Sequence, residues 1–175
     1  MGEVSSEIVY QAKYFRITKK EIERNGKKFT KDFIERAPAV LIIPYTESGE
    51  VYLEYQYRDA LQKSVFEIVA GNIEENAAPL ESAKRELQEE TGLTAKKWSK
   101  IATWDLSVNM VAKIHVFAAT ELQEGKPNLN EDEEIETVKL SFEEVLGKID
   151  RSEIPAASHI AALLLFEKLQ KAGKL

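Results

Sequence analysis

Residues 70–93 read AGNIEENAAPLESAKRELQEETGL, and the rest of the chain is organised around this stretch. Residues 79–91 are predicted to form a helix, because proline at position 79 suits the first helical position. Gly92 suits the left-handed position just past the helix end. One face of this helix is apolar, with a spacing of i, i+3 and i+7: Leu80, Ala83 and Leu87.

The same helix carries a group of carboxylates. Glu86 and Glu90 are four residues apart and share a face, with Glu89 on its flank. Like charges at this spacing destabilise a helix by roughly 0.2–0.5 kcal/mol per pair. One interpretation is a solvated acidic face on which Arg85 and Glu89 pair.

The residues before the helix favour a second interpretation, a metal site. A strand-like run at residues 66–69 leads into Ala70-Gly71, a loop that can bring a backbone carbonyl beside the carboxylates. Carboxylate and carbonyl oxygens are the ligands that Mg²⁺ requires.

The whole stretch resembles the Nudix box, G-x5-E-x7-R-E-U-x-E-E-x-G-U, where U is a bulky aliphatic residue. The residues in register are Gly71, Arg85, Glu86, Leu87, Glu89, Glu90, Gly92 and Leu93. One position departs from the pattern, because the first glutamate of the box falls on Ala77. Glu74 and Glu75 are candidates to replace that carboxylate.

The resemblance implies a divalent-metal site, with Mg²⁺ or Mn²⁺ as the cofactor. It implies that the Ala70 carbonyl, Glu86 and Glu90 hold the metal. It also makes Glu89, in or beside the metal shell, and Arg85 candidate catalytic residues.

Composition excludes several other classes of protein. With 24 Lys and Arg against 30 Asp and Glu, the net charge is −6, which argues against a nucleic-acid-binding surface. There is no cysteine, so disulfides and thiol catalysis are excluded, and a cytoplasmic location is expected. No apolar run approaches the ~18 residues of a membrane span, and no signal-peptide h-region is found, so we expect no membrane partner.

Residues 1–38 are predicted to be an N-terminal β segment. Residues 8–10, 14–18 and 28–36 are rich in β-forming side chains, and Asn25-Gly26 marks a hairpin turn. This segment is too small to bury its own face, so it packs on the main domain or pairs with a second subunit. We expect a homodimer in which this segment contributes to the interface.

Residues 39–175 are predicted to form the main domain. Its expected strands lie near residues 40–44, 51–58, 66–69, 100–104, 114–119 and 137–140, with a loop at 105–113. Ser141 and Glu144 form a capping box for a short helix ending at Gly147, and a last helix spans about 155–171. The fold class is α+β, a Nudix-like α/β/α sandwich with a mixed sheet.

Features outside the box resemble the ADP-ribose pyrophosphatase and nucleoside-diphosphate-sugar hydrolase branch of the family. Residues 54–58 resemble its Q-x-R strand, and residues 66–71 resemble its E-x-x-A-G lead-in. Residues 131–135 resemble its late acidic loop, and residues 147–165 its C-terminal segment. ADP-ribose enzymes often carry Ser-Pro-Gly after the box, where this chain has Leu106-Ser107-Val108.

Further site residues follow from this branch. Arg58 is expected to bind phosphate or nucleotide, since a guanidinium pairs with two phosphate oxygens, although an ordinary strand-end arginine is the alternative. Arg36 and Glu67 are weaker substrate candidates. Glu131 is the expected general base, and Glu133 is expected to complete the metal site; a solvated acidic turn is the alternative.

The expected function is metal-dependent hydrolysis of the pyrophosphate bond of ADP-ribose or another nucleoside-diphosphate sugar. The products would be a nucleoside monophosphate and a sugar phosphate. The alternative is a catalytically weak module that binds a nucleotide sugar. The cluster of Glu86, Glu89 and Glu90 favours the enzyme, because a binding module does not need it.

Overall fold

The structure is a computed structural model that describes residues 2–131 and 133–175. Its strands are β1 (Gly2–Gln11), β2 (Phe15–Arg24), β3 (Lys27–Arg36), β4 (Ala39–Pro44), β5 (Glu50–Arg58), β6 (Lys63–Glu67), β7 (Val69–Asn72), β8 (Thr94–Asp105), β9 (Met110–Val111), β10 (Lys113–Gln123) and β11 (Ile135–Ser141). Its helices are α1 (Pro79–Thr91), α2 (Phe142–Asp150) and α3 (Ala157–Lys171). The α+β class is confirmed, and none of these helices is long and apolar enough to cross a membrane.

The chain divides into two compact units. The first contains the residues up to Pro38 together with Trp104–Ile114, and its sheet has the order β1-β2-β3-β9. The turn between β2 and β3 uses Asn25 and Gly26 with φ of 54° and 70°, as the hairpin motif predicts. The predicted loop at 105–113 is interrupted by β9, which pairs in parallel with β3.

An ion-pair network ties the strands of the first unit together. Glu35 on β3 accepts hydrogen bonds from Arg16 and Thr18 and pairs with Lys20, all on β2. These partners, Lys20 foremost, lower the pKa of Glu35 to about 2. A polar network therefore holds the β2–β3 hairpin in register.

The second unit contains Ala39–Thr103 and His115–Leu175. Its sheets have the orders β7-β4-β10-β8 and β11-β5-β6. α1 packs its apolar face against β4 and β7, where it meets a buried cluster made by several strands. The buried members of that cluster include Val40, Ile42, Tyr52, Val69, Ala83, Leu87, Leu93, Phe117 and Ala119.

The bounds of α1 are those that the sequence predicts. Pro79 is its first residue, and Gly92 ends it with φ of 73° while its N–H donates to the Gln88 carbonyl. A second contact explains the glycine, because a Cβ at position 92 would lie 2.7 Å from backbone atoms of Lys126 and Pro127. Glycine is thus needed for both its conformation and its small size.

Other predicted bounds are wrong by a few residues. α2 has the predicted capping box at Ser141 and Glu144 but continues through Gly147 to Asp150. α3 begins at Ala157 rather than at Pro155. The strand predicted at 66–69 is divided at Ile68 into the ends of β6 and β7.

We predict that Gly92→Ala lowers the free energy of unfolding by about 3 kcal/mol, through left-handed strain and overpacking together. Gly49→Ala is the matched control, because Gly49 has φ of 90° but nothing within 4 Å of an added Cβ. The control should lose about 1 kcal/mol, from strain alone. Urea denaturation measures both values, and equal losses would contradict the role of the contact with residues 126 and 127.

Candidate active site

The site begins where β7 meets α1. Glu86 lies on the buried side of α1, and its carboxyl group rests directly on the backbone of Gly71. A Cβ at position 71 would lie 2.0 Å from the Glu86 Cδ atom, so no side chain fits there. This contact puts Glu86 next to Ala70, whose carbonyl is a predicted metal ligand.

Arg85 binds two of the helix carboxylates. Its Nη2 atom lies 2.6 Å from Glu86 Oε1, and its Nη1 atom lies 2.6 Å from Glu89 Oε2. Burial raises the pKa of Glu86, and the charge of Arg85 opposes that effect. Arg85 therefore keeps two predicted site residues together on one face of α1.

Ala77, where the box pattern has glutamate, packs against the hydrophobic cluster under α1. The carboxylate that lies near Arg85 from this loop is Glu74, at 4.0 Å from Nη2. The Glu74 side chain is largely exposed, so this pair is weak.

A buried carboxylate that the sequence analysis missed faces the helix from the neighbouring sheet. Glu54 on β5 interacts electrostatically with Glu90 on α1. Burial, followed by the negative charge of Glu54, raises the pKa of Glu90 to about 10. Burial also raises the pKa of Glu54, to about 7. Both shifts favour the protonated form of these carboxyl groups when no cation is bound.

Alternate residues of β5 continue this polar row. Gln56 donates from Nε2 to Glu54 Oε2 at 3.3 Å and to Glu67 Oε2 at 3.2 Å. Arg58 donates to the same Glu67 oxygen from Nε at 3.0 Å. Two predicted substrate residues, Arg58 and Glu67, therefore pair with each other, and Arg58 stays exposed at the strand end.

His159 on α3 is hydrogen-bonded to the backbone next to Glu67. Its Nδ1 atom accepts the Ile68 N–H at 3.3 Å, at the break between β6 and β7. Burial lowers the pKa of His159, so the ring stays neutral and keeps its acceptor. The sequence analysis did not single out this residue.

The segment that leads into the late acidic loop (residues 131–135) is hydrogen-bonded to the end of α1. The Asn128 N–H donates to the Glu89 carbonyl at 2.8 Å. Further along, the Asn130 N–H donates to Glu133 Oε2 at 2.9 Å, and the charge of Glu133 helps to raise the pKa of Glu86 and Glu90. Glu133 thus lies near the helix carboxylates.

Two further predicted site residues, Glu131 and Arg36, are exposed. Glu131 is exposed in a turn. Asp132, which belongs to the predicted acidic loop, lies outside the described residues. Arg36 is exposed at the end of β3 and belongs to the first unit.

The donor chemistry of the cluster fits a hard divalent cation. Glu54 Oε1 and Glu90 Oε2 are buried without a hydrogen-bond partner, which is costly for a carboxylate unless a cation satisfies it. Within residues 2–131 and 133–175, no three acidic or histidine side chains already form a complete ligand group. The carboxylate oxygens of this cluster are therefore the right type of ligand for Mg²⁺ or Mn²⁺. In this structure Glu86 is paired with Arg85.

A signal for Glu54 is present in the sequence. It follows Val51-Tyr52-Leu53 inside a run that is otherwise apolar, and it precedes Gln56 and Arg58 with a period of two. That period puts all three side chains on one face of a strand. A charged residue at a buried strand position, in line with two polar residues, is typical of a site.

A strand, a glycine loop and a helix together bury carboxylates here, as expected of the class of metal-dependent phosphate-anhydride hydrolases that the box resemblance implies. Comparison with known proteins agrees with this class. The NUDIX domain family model matches residues 35–163, and the chain belongs to that family.

Individual proteins show how far the similarity extends. The ADP-ribose pyrophosphatase of Bacillus subtilis (strain 168) is 33% identical over 174 residues, which cover 95% of this chain and 94% of that protein. The methanol dehydrogenase activator of Bacillus methanolicus is 27% identical over 175 residues, covering 98% and 94%. A crystal structure of an ADP compounds hydrolase superposes with a TM-score of 0.83 at 20% identity, covering 99% of this chain and 96% of that one, and confirms the Nudix-like fold.

We predict that the metal-free protein loses stability as pH rises, because of Glu54 and Glu90. Their folded pKa values of about 7 and about 10 lie above the ordinary 4.5, so their contribution is complete below pH 4.5 and is lost as pH rises through the folded values. Glu90→Gln should flatten this dependence and be more stable than the parent protein at pH 8.5 by about 1 kcal/mol or more.

Urea denaturation in EDTA at pH 5, 7 and 8.5 measures this difference. Glu136→Gln, at an exposed position on β11, is the control and should follow the parent protein. A Glu90→Gln variant whose stability also parallels the parent across this range would contradict the pH assignment.

Proposed function

We propose that the protein hydrolyses the pyrophosphate bond of ADP-ribose or a related nucleoside-diphosphate sugar, giving a nucleoside monophosphate and a sugar phosphate. The observation that carries this proposal is the packing of the Glu86 carboxylate on the Gly71 backbone, beside Glu90 and Glu89 on one helix. The 33% identity to an ADP-ribose pyrophosphatase, over nearly the full length of both chains, supports the substrate class.

The residues proposed to hold Mg²⁺ or Mn²⁺ are the Ala70 carbonyl, Glu86, Glu90 and Glu133. Such an ion, when bound, neutralises phosphate charge and lowers the pKa of a bound water. Arg85 positions Glu86 and Glu89 through its two 2.6 Å ion pairs. Its role here is to hold these carboxylates in a shared orientation on α1.

Arg58 and Glu67 are proposed to bind the substrate. The Glu67 carboxylate fixes the Arg58 guanidinium through Nε at 3.0 Å, while the exposed part of the guanidinium can pair with a phosphate oxygen. Gln56 donates to the same Glu67 oxygen at 3.2 Å, which limits the freedom of the pair. Arg36 remains a second, independent substrate candidate.

Glu131 is proposed as the general base. The carboxylates of α1 are engaged with Arg85, with Glu54 or with the proposed metal, so a proton acceptor has to come from elsewhere. Glu131 is an exposed carboxylate in the loop whose beginning is bonded to the end of α1. Glu133, in the same loop, is proposed to complete the metal site.

A homodimer is also proposed, with the N-terminal β segment (residues 1–38) in its interface and the Nudix domain at 39–175. The first unit exposes many large apolar side chains, a surface that commonly marks a protein interface. They include Val4, Ile8, Val9, Tyr10, Tyr14, Phe15, Phe29, Ile34 and Val111. Strand register puts Tyr10 and Ile34 on one face with Ile17 between them, so a continuous patch suits a second copy of this chain.

A cytoplasmic location stays a prediction of the sequence.

A nucleotide-sugar-binding module remains the second candidate function. Ala77 packs into the hydrophobic cluster and supplies no carboxylate where the box pattern has one. A protein named as an activator is also 27% identical over most of its length. Binding without turnover would distinguish this function from the hydrolase.

We predict turnover of ADP-ribose, ADP-sugars or GDP-sugars with Mg²⁺, measured as phosphate released by a coupled phosphatase. Glu86→Gln should reduce kcat by about 10²-fold or more, because it removes a charge that the site needs. Glu81→Gln is the matched control on the same helix, where Glu81 is exposed and pairs with Lys84. Binding of these compounds with no turnover in the metal-replete parent protein would exclude the enzyme.

We predict that Glu131→Gln lowers kcat by about 10²–10⁴-fold while KM stays nearly unchanged, as expected for loss of a general base. Glu133→Gln should instead raise the metal concentration required for half-maximal rate. Steady-state kinetics at varied Mg²⁺ separates the two effects. Near-full turnover of Glu131→Gln at saturating Mg²⁺ would place the base elsewhere, with Asp105 the next candidate.

We predict a dimer of about twice the chain mass of 19.8 kDa in light scattering at micromolar concentration. Ile34→Lys should shift the protein toward the monomer, because a charge in the apolar patch is costly to bury. Lys31→Glu, at an exposed polar position on the opposite face of the same strand, is the control. A monomeric parent protein would contradict the proposed interface.

A further inference from the structure

Glu54 is the least expected residue of the site. Its side chain is only 1% exposed, yet it projects from a strand into the space beside α1. Neither the box pattern nor the general-base argument gives it a role. A buried glutamate needs a partner for each carboxylate oxygen, and the partners of Glu54 are unequal.

One oxygen of Glu54 is held and the other is not. Gln56 Nε2 donates to Oε2 at 3.3 Å, and Gln56 is itself oriented by its second bond to Glu67. Oε1 is buried and has no hydrogen-bond partner. Carboxylates that bind metals are commonly oriented in this way by a hydrogen bond to the oxygen that does not bind.

The Glu90 carboxylate on α1 also has one oxygen without a hydrogen-bond partner. Glu90 is 9% exposed and interacts electrostatically with Glu54, and its Oε2 atom is buried without a hydrogen-bond partner. The cations near the cluster are occupied, Arg58 with Glu67 and Arg85 with Glu86 and Glu89. The two carboxylates, one on β5 and one on α1, therefore each bury an oxygen that has no hydrogen-bond partner in the described part of the chain.

We infer that Glu54 is an additional ligand for a divalent cation, which it binds through Oε1 together with Glu90. This inference rests on the proposed metal-dependent function and extends its ligand set to β5. A hard cation satisfies the two buried oxygens that lack hydrogen-bond partners, Glu54 Oε1 and Glu90 Oε2. The strand thus contributes a carboxylate to a site that the helix motif alone would not complete.

Mn²⁺ binding tests the inference without a catalytic assay. Free Mn²⁺ is measured by electron paramagnetic resonance during titration of the full-length protein and of Glu54→Gln. The substitution removes the charge but keeps an amide that can still donate to Glu90, so a role confined to positioning Glu90 would be preserved. Loss of a ligand should raise the Kd for Mn²⁺ by about 10-fold or more.

Two further variants are compared in this measurement, one at an exposed control position and one at a proposed metal ligand. Glu136→Gln, the same change at an exposed position on the neighbouring strand β11, should bind Mn²⁺ like the parent protein. Glu90→Gln should weaken binding, and adding Glu54→Gln to it should cost less than the sum of the single effects, because both act on one ion. Unchanged affinity in Glu54→Gln alongside weakened affinity in Glu90→Gln would overturn the inference.

The parent protein supplies a second test that does not depend on a variant folding. Anomalous scattering from a Mn²⁺-soaked crystal should place an ion within about 2.5 Å of Glu54 Oε1. Ions found only at Glu86 and Glu133 would overturn the role of Glu54 and leave the proposed hydrolase intact. A parent protein that binds no Mn²⁺ would overturn the hydrolase proposal as well.

Discussion

The contact between the Gly71 backbone and the Glu86 carboxyl group constrains the whole second unit. A Cβ at position 71 would overlap Glu86, so β7 and α1 approach more closely than any side chain would allow. That approach also buries Ala83 and Leu87, which lie on the same side of the helix as Glu86 and Glu90, against β4 and β7. The docking that completes the core therefore also turns Glu86 and Glu90 toward the sheet.

The consequence is a concentration of negative charge where solvent is scarce. Glu54, Glu67, Glu86 and Glu90 are all buried, while the arginines that compensate them lie toward the outside. Burial and mutual repulsion both raise the pKa of Glu90, which is unfavourable for an empty site above neutral pH. Such an arrangement is expected where a cation is bound, since strongly perturbed carboxyl groups are common at functional sites.

The sequence predicted those parts of the fold that depend on residues close together in the chain, and it missed parts that depend on residues far apart. α1 was predicted with its observed bounds because proline, glycine and the apolar spacing act within the helix itself. The end of α2 was missed: the predicted stop was Gly147, but the helix continues past this glycine to Asp150. The break at Ile68 was missed because its N–H bonds to His159, a residue of a distant helix.

The sequence by itself determined the helix, its caps, the hairpin at Asn25-Gly26 and the set of carboxylates on α1, since each depends on neighbours in the chain. Only the tertiary structure decided that Glu54 faces Glu90, because β5 and α1 are joined by no local pattern. It also decided that Arg58 pairs with Glu67 and that Ala77 joins the apolar cluster. These choices arise from packing between elements far apart in sequence, where burial removes water and forces polar atoms to find partners within the protein.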